Sequence, residues 1–377
     1  SGEPTGIIRS CTRLVKIQQN GLQPSDEDRK RKLLQLFDDY LSVGLTSIGD
    51  RDASEEEIHR YRELHRDHKL KLRVSLSQHV ETIGNLDAVE SSIRKVAEDP
   101  LVKGDDWLKI IGIKTYLDGG MLTGSAYMRE PWGISQLYSI SDPMYRGVLF
   151  IPKERLLPIV KTTLECGLQF TAHSQGDGAV HTLLDVYEEL DKTWPVRQKR
   201  PCITHSSFMS AEAVQKVAKL GVVVDLQPAW LYLDTRTLVG HFGYDRLRFF
   251  QPLHSLFKAG AMIGGGSDHM QKIGSIRSVN PYNPFLAMWV TVTRKAKGYE
   301  GTLHPEEALT RKEAIRFYTA NNAYLLFQEK ETGSIETGKL ADLVVLDTDI
   351  LKCPVDEIRN TRVLQTYVAG KLAFERR

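Results

Sequence analysis

Short runs rich in β-branched and apolar residues alternate with amphipathic segments along most of the chain. The β-type runs fall at 44–50, 70–80, 108–118, 168–173, 201–205, 221–227 and 261–268. Helix-start signals lie between them. Ser25 with Asp28, Ser54 with Glu57 and Thr310 with Glu313 have capping-box spacing, and Ser210 suits an N-cap. Gly44, Gly167, Gly221 and Gly260 stand where helices should stop before the next strand. Alternation sustained this long predicts a parallel sheet covered by helices.

A doubly wound sheet and a (β/α)8 barrel both satisfy that pattern, and two features favour the barrel. Each run closes on a polar group: Asp50, His79, Asp118, His173, His205, Gln227 and Asp268. A barrel brings all such ends to one pocket. A doubly wound sheet normally carries a glycine-rich phosphate loop after its first strand. The one candidate, Gly264-Gly265-Gly266, comes late and has His269 in place of the third fingerprint glycine. The seven runs are one short of a closed barrel. Beyond Lys330 the texture changes to short strands and turns at 333–338, 342–347 and 363–374. So short a segment cannot make a stable sheet alone and needs other strands to pack against.

Composition narrows the function classes. The 377 residues carry 50 Lys+Arg against 48 Asp+Glu, a formal net charge of +2. That balance gives no reason to expect a nucleic-acid or acidic-membrane partner. The basic run Arg29-Lys30-Arg31-Lys32 follows Asp26-Glu27-Asp28 and reads as a solvated helix face. Cys11, Cys166, Cys202 and Cys353 lie far apart. Their spacing fits a reducing compartment and excludes a disulfide scaffold or zinc ribbon, so a cytoplasmic location is expected. No apolar stretch reaches the roughly 18 residues of a membrane span. The chain opens Ser1-Gly2-Glu3-Pro4-Thr5-Gly6, without an initiator Met, and reads like the middle of a protein.

Strand parity then locates the chemistry. In 108–118 the odd positions are mostly apolar, which turns Gly112, Lys114, Tyr116 and Asp118 toward the barrel interior. An ammonium at Lys114 would be costly unless paired, neutralised or modified, and a salt bridge to Asp118 or another carboxylate is the plainest solution. Gln169, Thr171 and His173 share one face of the next strand, and the following strand ends in His205. The run 261–268 ends in Asp268 after three glycines that allow close backbone approach. A single strand-end histidine is ordinarily a hydrogen-bonded core residue. Four convergent ends bearing Lys, His, His and Asp are harder to assign to packing, and neutral imidazoles with a carboxylate suit Zn²⁺, Mn²⁺ or Fe²⁺. His65 and His68 read as a solvated helix face.

These residues sit in motifs that resemble the amidohydrolase superfamily, specifically amidohydrolase family 3 with its N-substituted formamide deformylase-like enzymes. The motifs are Ile113-Lys114-Thr115-Tyr116-Leu117-Asp118-Gly119-Gly120, Ala172-His173-Ser174-Gln175-Gly176-Asp177-Gly178-Ala179, Ile203-Thr204-His205-Ser206, Gly265-Gly266-Ser267-Asp268-His269 and the segment 333–347. The resemblance covers essentially the whole chain and implies a metal-dependent hydrolase fold of the TIM-barrel type. It also implies the division into a barrel domain at 1–330 and the C-terminal strands of a small β-sandwich at 331–377. By resemblance, Lys114 is a carboxylated lysine bridging two metals, and His173 and His205 ligate the second. Asp268 is a metal ligand that also exchanges protons with the attacking water.

The resemblance implies one departure. The family opens its barrel with a strand ending His-x-His, and no two histidines stand two apart in these residues. The expected fold is therefore α/β, a (β/α)8 barrel whose first strand is not in this chain, and one tightly held metal is expected rather than two. The implied activity is hydrolysis of an amide-type C–N bond other than a peptide bond, through a water activated by one or two divalent ions, with zinc first and Mn or Fe as alternatives. A non-catalytic barrel that binds a ligand or partner, and a phosphoester hydrolase on the same barrel, are the competing readings. The partner is a small-molecule substrate, and a homodimer is the assembly to look for. Tyr116, Asp118, Trp230 and His269 are the candidate substrate-binding residues, and the aromatic connection 119–148 should lie over the mouth.

Overall fold

The computed structural model describes residues 24–269 and 280–377. The opening segment 2–6 and Cys11 lie outside the described residues. Seven parallel strands form one curled sheet in sequential order: β1 (Ser47–Ala53), β2 (Arg73–His79), β3 (Leu108–Tyr116), β4 (Gln169–Ser174), β5 (Cys202–His205), β6 (Val223–Leu226) and β7 (Met262–Gly265). Helices α1 (Asp26–Ser42), α2 (Glu55–Arg66), α3 (Leu86–Ala97), α4 (Lys153–Glu165), α5 (Asp177–Asp191), α6 (Ala211–Leu220), α7 (Pro228–Phe242) and α8 (Leu253–Lys258) alternate with them. Then come α9 (Pro284–Thr293), α10 (Arg311–Tyr318) and α11 (Ala320–Leu325), followed by β8 (Leu343–Leu346), β9 (Val363–Val368) and β10 (Lys371–Glu375).

Local chemistry sets the helix ends. Capping boxes close α1 at Ser25 and Asp28, α2 at Ser54 and Glu57, and α10 at Thr310 and Glu313. Ser210 caps α6 by accepting from the Ala213 N–H. Gly44, Gly167, Gly221 and Gly260 all have φ between 67° and 85°, the left-handed conformation that ends a helix without a Cβ clash. Of the strands they lead into, β4 and β6 are buried on both faces, as parallel strands under helices must be. Val74, Ile113, Phe170, Ile203, Val224 and Ile263 share one core with Ile93, Leu156, Leu184 and Val217 from the helices. Burying each such side chain is worth about 1.5–3 kcal/mol.

Among the described residues no strand closes the gap between β1 and β7, so the barrel is open there. The outer edge of β7 is satisfied by side chains instead. Asn322 accepts from the Gly265 N–H at 3.0 Å and donates to the Gly265 carbonyl at 2.8 Å, while Asn321 donates to the Ile263 carbonyl at 2.8 Å. Unpaired backbone groups would otherwise be buried beneath α11.

β1 runs three residues past the expected Asp50, which adds Arg51 and Asp52 to the strand. Arg51 turns into the barrel, its Nε donating to Asp225 Oδ2 at 2.8 Å and its Nη1 to Gln169 Oε1 at 2.7 Å. The interior therefore holds a paired charge beneath the mouth. The last strand ends at Gly265, so Asp268 lies on the loop beyond it.

The three C-terminal strands make an antiparallel sheet in the order β10-β9-β8. It leans on α1, where Thr366 Oγ1 donates to the Leu41 carbonyl at 2.7 Å. Arg73 ties it to the barrel, its Nε and Nη2 reaching the two Asp342 oxygens at 2.7 and 3.0 Å. Val368 belongs to the main barrel core. Among the described residues this sheet is supported by α1 and the barrel, where further strands were expected.

Candidate active site

The C-terminal ends of the strands open on a cleft of about 1310 Å³, lined among others by Asp52, His79, Lys114, Tyr116, His173, His205, Trp230, Asp268 and His269. Register brings the chemistry together. β3 pairs with β4 so that Tyr116 stands beside His173, and β4 pairs with β5 so that Ser174 stands beside His205.

Lys114 is 3% exposed, and among the described residues its Nζ has no hydrogen bond or ion pair. The Tyr116 ring lies 4.9 Å from Nζ. The expected salt bridge to Asp118 or another carboxylate is not formed among the described residues. Burial lowers the Lys114 pKa, against the pull of Asp52, Asp225 and Asp268. A buried ammonium with no direct ion pair among the described residues is an expensive arrangement, and a neutral amine is the form that burial favours.

The two histidines meet edge to face, ring centroids 4.6 Å apart. Burial, the neighbouring imidazole and Lys114 hold His173 well below the usual imidazole range, and burial lowers His205 as well. Both are therefore neutral, the ligating form. His205 Nδ1 is 2.7 Å from Gln227 Oε1, which orients the ring. His205, Ser206 and Asp268 all have left-handed backbones, with φ of 79°, 43° and 53°. Non-glycine residues in that region each cost about 1–3 kcal/mol and collect at functional sites.

Asp118 lies just behind the cleft, its Oδ1 3.7 Å from His173 Nε2. It is buried and does not line the cleft; instead it accepts from the backbone N–H of Tyr127, Gln175 and Gly176 at 2.8–2.9 Å. Burial pushes its pKa to about 7 against those three bonds. It staples the long 119–148 connection to the turn after β4. A Cβ on Gly176 would lie 2.1 Å from the Tyr127 carbonyl, so only glycine lets these segments meet.

That connection contributes less to the cleft than its aromatic content suggests. Met128, Trp132 and Tyr138 are buried in a second apolar cluster with Phe208, Leu231 and Phe250, leaving Gly120, Met121 and Leu122 on the cleft. Trp230 does line the cleft, and its buried Nε1–H has no hydrogen-bond partner among the described residues. His269 packs edge-on against Tyr40 and Tyr282, and Tyr116 tilts over His173 at 5.2 Å.

Two groups of the mouth were not foreseen as site residues. Asp52 Oδ1 lies 2.8 Å from His79 Nδ1, and Tyr116 OH donates to Asp52 Oδ2 at 2.6 Å. Alternation continued past Asp50 would have placed Asp52 on the Asp50 face and Arg51 opposite.

Among the described residues no three His, Cys, Asp or Glu side chains converge to hold a metal by themselves. A cation at this mouth would draw on Lys114 beside His173 and His205. A free ammonium cannot ligate, but a carboxylated Lys114 could, and no hydrogen bond or ion pair among the described residues engages it. With that modification the donor set fits a divalent ion with open positions.

The sequence profile of the amidohydrolase family matches residues 1–374. The chain belongs to the amidohydrolase family. It is 28% identical over 394 residues to the N-substituted formamide deformylase of Arthrobacter pascens, an alignment covering 100% of this chain and 66% of that one. It is 25% identical to the putative amidohydrolase YtcJ of Bacillus subtilis, over 70% of this chain and 47% of the relative. Among solved structures, an uncharacterized metal-dependent hydrolase from Pyrococcus horikoshii superposes with a TM-score of 0.72 at 25% identity, covering 88% of this chain and 62% of its own. The chain thus spans less than two thirds of the length of these relatives.

Proposed function

We propose that this amidohydrolase-family chain is the larger part of a metal-dependent hydrolase that cleaves an amide-type C–N bond in a small molecule. The observation that carries the proposal is the meeting of an unpartnered buried lysine, two neutral histidines and Asp268 at one strand-end cleft. Family membership and the formamide deformylase relative support amide chemistry. Lys114, as its carbamate, with His173 and His205 would hold the divalent cation, zinc being the first candidate. Carboxylation consumes the neutral amine that burial favours, adds CO2 and releases a proton. A cation so held supplies Lewis-acid activation of water and of the scissile carbonyl.

The chain's own residues do the remaining work. Gln227 fixes the His205 ring through Nδ1, which leaves Nε2 as the nitrogen that could ligate. Asp268 stands on the loop after β7, exposed to the cleft, where its carboxylate can take a proton from water and return it to the departing nitrogen. Trp230, Met121 and Leu122 give the cleft an apolar wall for the non-reacting part of the substrate, with one indole N–H available to a carbonyl.

The test combines elemental analysis with hydrolysis of N-substituted formamides by the purified protein. At least one divalent ion per chain, with amine release abolished by Asp268→Asn, is the expected result. A metal-free protein without amide hydrolysis would overturn the proposal in favour of a ligand-binding barrel.

A further inference from the structure

Beneath the two histidines a chain of hydrogen bonds crosses the barrel interior and ends on a ring nitrogen. Arg51 Nε on β1 donates to Asp225 Oδ2 on β6 at 2.8 Å, although these strands are not neighbours in the sheet. That oxygen also takes the Thr204 hydroxyl at 3.5 Å and the Cys202 thiol at 3.6 Å. The other oxygen, Oδ1, accepts from Gln227 Nε2 at 3.3 Å, and the Asp225 carbonyl accepts from the same nitrogen at 3.1 Å. Gln227 therefore meets two acceptors on this side, and only its NH2 end can satisfy them. With the amide so turned, Oε1 lies 2.7 Å from His205 Nδ1. An amide oxygen has no hydrogen to give, so Nδ1 carries the hydrogen and Nε2 of the neutral ring keeps its lone pair. Asp225, Gln227 and His205 are all buried, which limits competition from water.

An unconstrained glutamine can show a neighbouring imidazole either its oxygen or its NH2, and the two choices select opposite tautomers. A carboxylate at position 225 removes the choice, because an ionised Asp only accepts. A buried carboxylate in turn needs a partner. Arg51 supplies it, and its Nη1 is itself fixed by Gln169 at 2.7 Å and Ser77 at 3.3 Å. We infer that Arg51 and Asp225 are positioning residues that act through the Gln227 amide to hold His205 as its Nδ1–H tautomer, so that Nε2 is the nitrogen offered to a cation. What that nitrogen does rests on the hydrolase proposal, which this assignment deepens; the tautomer belongs to the chain alone. Removing outer hydrogen bonds of this kind costs about 10- to 100-fold in metal affinity.

Two-bond ¹H–¹⁵N correlation on the metal-free, ¹⁵N-labelled chain reads the tautomer, because protonated and bare ring nitrogens resonate far apart. His205 should show its hydrogen on Nδ1. Arg51→Met with Asp225→Asn removes both charges together and orphans no buried ion. An asparagine can donate as well as accept, so the Gln227 amide is free to turn. The Nε2–H tautomer should then appear, and zinc binding, titrated alongside, should weaken about tenfold or more. Asp225→Asn with Gln227→Glu is the rescue. It keeps Arg51 with one carboxylate in the cluster and leaves residue 227 only acceptors to show the ring, so the Nδ1–H tautomer and most of the zinc affinity should return. Asp225→Asn alone makes the same comparison with the rescue if the first variant does not fold. A merely structural pair would alter stability and leave the ring nitrogens unmoved. Hydrogen on Nε2 in the parent, an unchanged tautomer after loss of the pair, or a rescue variant that stays Nε2–H would each overturn the inference. Normal zinc binding and amide hydrolysis with a tautomer indifferent to the pair sink this inference alone. A parent chain without zinc binding or hydrolysis sinks the hydrolase proposal and leaves the tautomer measurable.

Discussion

Replacing Asp342 by asparagine should loosen the C-terminal sheet from the barrel. Arg73 has a fully buried side chain, and Asp342 is only 5% exposed. Asp342 takes both Nε and Nη2 of that guanidinium and also accepts from the Ala369 N–H at 2.8 Å, in the turn between β9 and β10. Removing one partner of a buried pair costs about 3–5 kcal/mol because the remaining charge is left uncompensated. Here the loss is softened. Arg73 Nη1 keeps the side chain and carbonyl of Asp106 at 2.6 and 3.0 Å, and the Trp107 ring lies 4.9 Å from the guanidinium carbon. Asp106 is 41% exposed, so its solvent-screened attraction recovers only part of the loss. The expected cost is about 2–3 kcal/mol, or roughly 30- to 150-fold in the local opening equilibrium. Hydrogen exchange reads it residue by residue, with faster exchange concentrated in β8, β9 and β10 and little change in β4 to β6. The double variant Arg73→Met with Asp342→Leu should regain most of the protection, since an apolar pair of similar volume leaves no orphan charge. If Asp342→Asn changed exchange in β8 to β10 by less than about threefold, equivalent to about 0.7 kcal/mol, the tether would have no energetic weight and this reasoning would be wrong.

Lys114→Met should abolish amide hydrolysis, yet in the metal-stripped protein leave the denaturation midpoint unchanged or raised, because it removes a buried amine with no ion pair among the described residues; a marked fall in stability of the stripped protein would show that Lys114 has a structural partner. Asp268→Asn should keep the fold and lower kcat about 100- to 10,000-fold, the range of general acid–base contributions, and a near-parental rate would remove Asp268 from the proton path. His173 and His205 have folded-state pKa values below the ordinary imidazole 6.5, so the unfolded chain binds their protons more readily and stability must fall as pH drops below about 6.5. Chemical denaturation between pH 8 and pH 5 should show that fall, and His173→Gln should flatten it. Elemental analysis at neutral pH should find at most one tightly held divalent ion per chain; two would require a ligand beyond Lys114, His173, His205 and Asp268.

Much of the architecture was legible because its causes are local. Capping boxes and left-handed glycines act within a few residues, and the period-2 pattern of 108–118 depends only on which face of a strand meets the helices. Parity alone therefore turned Lys114 inward and put His173 and His205 at strand ends. The same local logic failed where the deciding contact comes from far away in sequence. Asp118 has the parity of a cleft residue, but the backbone N–H groups of Tyr127, Gln175 and Gly176 draw it under the loops instead. Trp132 and Tyr138 have the composition of a substrate wall, yet Phe208 and Leu231 offer them a dry cluster behind it.

The chain's own pattern was thus enough to specify a sheet of parallel strands, the ends at which chemistry gathers and the identity of the lysine and histidines found there. Partners were another matter. That Arg51 would be neutralised by Asp225 inside the barrel, that Asp342 would close on Arg73, and that Asp52 would meet His79 at the mouth were decided only on folding. Periodicity records how each residue faces its own strand. An ion pair or an oriented imidazole depends on which distant strand end arrives within 3 Å, and nothing in a local run of residues encodes that meeting.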